Sequence, residues 1–102
     1  MKQNTIEKLK LMLLKRAFQN GRTQARMRGH DWTIRQDDFI DMWGDDDKWQ
    51  HRGTASGDLT FCRIDMSIGW HVDNVDIITR HEMLQREAEY KRQKIRSQKN
   101  AD

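Results

Sequence analysis

The chain has 102 residues, of which 35% are hydrophobic and 34% charged, with a formal net charge of +3. That length suits one domain around a small core. No apolar run approaches the roughly 18 residues of a membrane span, and the single cysteine, Cys62, excludes an internal disulfide and a multi-cysteine zinc knuckle.

The charge distribution says more than its sum. Lys2 to Arg28 holds eight basic residues and one acid, Glu7. Asp31 to Asp47 holds seven aspartates and Arg35. Lys91 to Lys99 holds five basic residues and no acid. Basic ends around an acidic middle suit a polyanion partner touched by both ends, and they equally suit helices kept soluble by Lys and Arg. Lys2, Lys8 and Lys10 precede Leu11 to Leu14, but no long apolar region or small-residue cleavage site follows, so no signal peptide is expected. One free cysteine fits a reducing cytoplasm.

Asn4 with Glu7 has capping-box spacing and predicts a helix over 5–28. Ile6, Leu9, Leu13 and Ala17 follow helical spacing, and Leu14 and Phe18 widen the stripe. At about 100° per residue, Lys15, Arg22 and Arg26 fall on the opposite side as a basic ridge. Gly21 is a candidate kink and Gly29 a natural stop. Leu11 to Leu14 is wide enough to serve a homodimer as well as the chain's own core.

Thr33 with Gln36 predicts a short helix over 34–43, with Phe39, Ile40 and Trp43 inward and Gly44 at its end. Asp45-Asp46-Asp47 reads as a solvated turn, because it lacks the spaced acids of a calcium loop. Trp49 is expected to anchor the loop towards the next element, and Arg52 either to meet phosphate or to pair with an aspartate. Leu59 to Ile64 is β-favouring. Its Thr60, Cys62 and Ile64 share one face, and Leu59, Phe61 and Arg63 the other. Met66 to Asn74 holds the turn formers Ser67, Gly69, Asp73 and Asn74. Val75 to Thr79 is a second β-branched run. Thr79 with Glu82 caps a last helix, from about Arg80 to the mid-nineties. The expected class is α+β, mostly helical, with one unit over residues 1–90: a basic amphipathic helix, a short helix and a ββα unit at 59–90. Residues 91–102 form a basic helical or frayed tail.

The ordered set Trp49, Arg52, Gly53, Arg63, Asp65, Trp70, Asn74, Val75, Ile77, Thr79 and Glu82 resembles the HNH (ββα-metal, His-Me finger) motif in the form found in small bacteriophage proteins. Upstream, Gln24, Ala25, Arg28, Gly29 and Trp32 are similar to the same proteins, so the likeness spans roughly residues 15–90. The resemblance implies a DNA endonuclease in the cytoplasm of an infected bacterium, using Mg2+ or Mn2+ and no zinc. It implies Asp65 as metal ligand, Arg63 as a further catalytic residue, on phosphate together with Arg52, and Asn74 as the residue that fixes the loop; His71, approaching from the loop, is the candidate base, with Asp65 as the other proton acceptor if its pKa is raised. General members carry histidine where Arg63 and Asp65 stand; the phage form has Arg and Asp there. Met83 takes a place that usually holds Asn, and a thioether is a poor ligand for magnesium. The catalytic set is therefore degenerate.

Three expectations stand open. One is a metal-dependent endonuclease with full or weakened catalysis. Another is a non-catalytic binder of double-stranded DNA, using Lys15, Arg22, Arg26, Arg52, Lys91, Arg92 and Lys94. The last is a protein that binds and modulates a host or phage protein through Trp32, Trp43 and Trp49.

Overall fold

A computed structural model describes the backbone of residues 2–100 and the side chains of residues 5–96. The order is helix α1 (Lys2–Met27), helix α2 (Gln36–Gly44), a 3-10 segment (Asp45–His51), strand β1 (Leu59–Arg63), a single 3-10 turn (Val72–Asn74), strand β2 (Val75–Thr79) and helix α3 (Arg80–Asn100). This is the mostly helical α+β arrangement expected, with a hairpin followed by a helix.

Helix α1 begins earlier than its expected cap, so Asn4 lies within it; the Asn4 side chain is outside the described residues. It also passes Gly21 without a break. The ring of Trp32 packs there, and a Cβ at Gly21 would come within 3.2 Å of it. The helix ends in a Schellman motif: Gly29 takes φ 76°, its N–H bonds the Arg26 carbonyl, and the His30 N–H bonds the Ala25 carbonyl.

The apolar stripe of α1 divides. Leu14, Ala17, Phe18 and Ala25 are buried, whereas Ile6, Leu9, Met12 and Leu13 are exposed. Of the expected stripe, Leu14, Ala17 and Phe18 are thus covered, while Ile6, Leu9 and Leu13 are not. Its N-terminal part is uncovered because α2, with nine residues, is the helix packed on α1 and is much the shorter of the two.

Helix α2 starts two residues later than expected. Its N-cap is Arg35, with no side-chain cap. Thr33 does not cap it; its hydroxyl meets His71 Nδ1 at 2.6 Å. Phe39 and Trp43 are buried inward, and Trp43 is fully so. Asp46 and Asp47 then adopt left-handed φ of 51° and 53°. Aspartate tolerates this better than most residues, and the acidic turn remains exposed.

The strands pair antiparallel, with Leu59 opposite Thr79 and Arg63 opposite Val75. A two-stranded ribbon this short is not stable alone, and it is covered on both faces. Phe61 packs towards α1 and α2 with the core. On the other face, buried Cys62 lies against α3, where Arg86 hydrogen-bonds both the Arg63 carbonyl at 2.8 Å and the Asp76 carboxylate at 2.8 and 3.2 Å. Thr79 and Glu82 form the expected reciprocal cap of α3. That helix extends past the mid-nineties to Asn100, so the basic segment is helical to that point. Among the described residues, no helix is long and apolar enough to cross a membrane.

The loop between the strands is organised by buried Asn74. Its Oδ1 accepts the Asp65 N–H at 2.9 Å, and its Nδ2 donates to the carbonyls of Asp65 at 3.1 Å and Gly69 at 2.9 Å. Replacing it by alanine leaves the Asp65 N–H and the Gly69 carbonyl without partners, while the Asp65 carbonyl keeps the Ile68 N–H. Asn74→Ala is expected to lower stability by about 2–4 kcal/mol, whereas Asn74→Asp, which keeps the acceptor alone, loses part of that. Urea unfolding of the two variants tests this; a loss below about 0.5 kcal/mol for alanine would mean that the amide does not organise the loop.

Candidate nucleic-acid interface

The hairpin loop is tied to the α1–α2 connection by backbone bonds. The Thr33 N–H donates to the Trp70 carbonyl at 2.9 Å, and the Trp70 N–H donates to the Asp31 carbonyl at 2.8 Å. The rings continue this junction. Trp70 stacks on Phe61 at 5.8 Å and packs on Trp32 at 5.6 Å, and Trp32 in turn meets Phe18 at 5.7 Å.

Beside this junction lies a cleft of about 470 Å³ between the C-terminal half of α1, strand β1 and the start of α3. Its walls carry four arginines, Arg28, Arg52, Arg63 and Arg80, and one carboxylate, Glu87. Asn20 and Gln24 of α1 add amide groups, and Trp32, Phe61 and Trp70 add apolar surface. Arg63 is buried, with its guanidinium over the Trp70 ring at 5.2 Å and Nη1 donating to the Ile68 carbonyl at 3.0 Å. Arg52 is exposed, with its guanidinium 5.8 Å from the Trp43 ring. It makes no ion pair with an aspartate among the described residues.

The positive field is felt by His30, which accepts a long bond from Trp70 Nε1 at 3.4 Å. Its pKa is lowered first by burial, then by the charges of Arg63 and Arg28.

Arg63 and Asp65, two of the three candidate catalytic residues, interact electrostatically, yet they line different hollows. Arg63 lines the arginine cleft. Asp65 lines a separate groove with Ile64, Arg86, Glu89 and Tyr90. Its carboxylate is exposed and accepts the Ser67 hydroxyl at 2.6 Å and the Ser67 N–H at 2.9 Å. Those bonds lower its pKa, which makes it a weaker base. His71 lines neither cleft nor groove and is held by Thr33. Magnesium or manganese needs several oxygen donors converging on one point. Among the described residues, no group of three or more His, Cys, Asp or Glu side chains does so. Both Ser67 bonds fall on Oδ1 of Asp65, so Oδ2 is the oxygen that it would offer to such an ion.

Of the basic residues marked in the sequence, Lys15 and Arg26 are exposed on α1, while Arg22 folds over the Phe18 ring at 5.2 Å and is half-buried. Lys91, Arg92 and Lys94 are exposed on α3, and Arg92 pairs with Glu89 at 3.0 Å. Arg80, His30 and Arg86 carry no motif signal and emerge only from the packing. Arg28 and Gln24 do belong to the upstream pattern quoted above, without an assigned role.

No family model matches this chain, and neither a curated protein nor a solved structure does. The functional argument therefore rests on the residues themselves. Because Arg63 depresses the His30 pKa, Arg63→Gln should raise it towards the ordinary value near 6.5. An NMR titration of the His30 ring in both proteins measures this, and an unchanged midpoint would place the guanidinium away from the imidazole.

Proposed function

We propose that this chain is an HNH-like DNA-binding protein of phage type that acts in the bacterial cytoplasm and grips the phosphate backbone. Its endonuclease activity would be weakened or lost. One observation carries the reading: four arginines and one carboxylate line a single cleft on the hairpin-and-helix unit. Arginines in that proportion suit a polyanion, and the exposed bases of α1 and α3 extend the same charge. His71 is held by Thr33 and lines neither the cleft nor the Asp65 groove, and Met83 is a poor magnesium ligand; both support weak or absent catalysis.

A second reading is favoured by a different observation. Ile6, Leu9, Met12 and Leu13 are exposed on one helix, a concentration of apolar surface that suits a protein partner, either a second copy or a host or phage protein. Sedimentation equilibrium of the wild type and Leu9→Asp addresses it: a dimer that the aspartate dissociates supports self-association.

The primary reading is tested by fluorescence anisotropy with a labelled duplex between 50 and 200 mM salt, beside a plasmid-nicking assay with Mg2+, Mn2+ or EDTA and with Asp65→Ala. Binding is expected to weaken steeply with salt, and each lost phosphate contact to reduce the logarithmic slope by about 0.7–0.9. Arg28→Ala, Arg80→Ala and removal of the residues after Tyr90 should all reduce that slope. Little or no nicking is expected. Absence of binding at 50 mM salt overturns the reading, and metal-dependent nicking lost in Asp65→Ala restores full catalysis to it.

A further inference from the structure

Arg63 and Arg86 form a natural contrast on the same hairpin. Arg86 is half-buried and holds a bidentate pair with Asp76. Arg63 is only 8% exposed and has no ion pair among the described residues. Its guanidinium makes one hydrogen bond, from Nη1 to the Ile68 carbonyl, and Nε is buried without an acceptor. A guanidinium carries five N–H donors. Withdrawing such a group from water without a counter-charge is unfavourable.

The surroundings make the imbalance larger. Arg28, Arg52 and Arg80 bring three further positive charges to the same cleft, against Glu87 alone. Asp65, two residues along the chain, feels the Arg63 charge but forms no ion pair with it, and its Oδ1 accepts both Ser67 bonds. The Trp70 ring covers one face of the Arg63 guanidinium, which leaves acceptors to approach its edge. A group with several oxygens and more than one negative charge would satisfy both Arg63 and Arg28.

We propose that Arg63 is the floor of a built-in anion site that takes one phosphate group, with Arg28 completing its charge. The site deepens the DNA-binding reading and rests on it only for the source of the phosphate. A backbone phosphodiester and free inorganic phosphate offer the same oxygens.

The test compares thermal unfolding in inorganic phosphate and in chloride at equal ionic strength, for the wild type, Arg63→Met and Arg28→Gln. Phosphate at tenfold its Kd should raise the wild-type Tm by roughly 6–11 °C. Arg63→Met should unfold at an unchanged or higher Tm in chloride, because an uncompensated buried cation has been replaced by an apolar chain of similar length, and should lose the phosphate shift. Exposed Arg28→Gln keeps the core intact and should lose part of the shift, so the proposal stays testable even if Arg63→Met does not fold. A phosphate shift that persists in Arg63→Met, or no shift in the wild type, overturns the site.

The second arm uses a 16-nucleotide duplex. A loss of affinity of about tenfold or more in Arg63→Met identifies the backbone as the source. Duplex binding that Arg63→Met leaves unchanged, beside a phosphate shift that it abolishes, supports the site and assigns it to a small phosphate while the DNA-binding reading stands. A phosphate shift without duplex binding supports the site, assigns it to a small phosphate and removes the DNA-binding reading.

Discussion

The structure depends on the aromatic contact chain that crosses from the hairpin to the helices. Phe39 meets Phe61 edge-on at 5.0 Å, Phe61 stacks on Trp70, Trp70 packs on Trp32, and Trp32 meets Phe18. These five rings come from α1, the α1–α2 connection, α2, β1 and the strand-connecting loop. In a chain with so few apolar residues, large rings supply the buried area that a two-stranded ribbon needs. The two backbone bonds between Trp70 and the Asp31–Thr33 segment set where those rings meet. The same junction forms one wall of the arginine cleft, so the packing that stabilises the fold also positions its charge.

Much of this architecture was legible from residue patterns. The strands, the α3 cap and the Gly29 stop rest on local chemistry that depends little on the rest of the chain: β-branched runs, a Thr79–Glu82 pair and a glycine able to take positive φ. The errors came where tertiary context decides. Thr33 has capping spacing to Gln36, yet its hydroxyl is taken by His71, distant in sequence. Gly21 reads as a helix breaker, yet its missing side chain is what lets Trp32 pack against α1. The stripe of α1 is buried at Leu14, Ala17 and Phe18 but not before them, because the spacing of apolar residues does not reveal how far along the helix its covering elements reach.

The candidate site was legible only in pieces. Arg63 and Arg52 stood out because they fall in a motif, and Arg28 had its place in the upstream pattern. Arg80 had no signal, since an arginine after a capping threonine looks like any helix start. Arg63 and Asp65 stand two residues apart in the motif, and His71 sits between Trp70 and Asn74 without being a motif position. β1 ends at Arg63, and the turn after it takes the three to different surroundings: a cleft, a groove shared with α3 and a contact with Thr33. Closeness in sequence is a poor guide to closeness in space where a strand gives way to a turn, because the regular alternation of side chains stops there.

Helix α1 joins two unlike surfaces on one uninterrupted rod. The cluster of exposed apolar residues, Ile6 to Leu13, precedes the α1 part of the cleft wall, which runs from Ala17 to Ala25, with Met27 exposed separately. At 1.5 Å of rise per residue, Leu13 lies about 6 Å from Ala17 and about 18 Å from Ala25 along the axis. Since the helix does not break at Gly21, their separation and relative rotation are set by helical geometry and not by a flexible joint. A molecule held by the first half is therefore presented to the second at a defined height and angle, and the helix acts as a ruler between whatever covers its apolar end and whatever enters the arginine cleft.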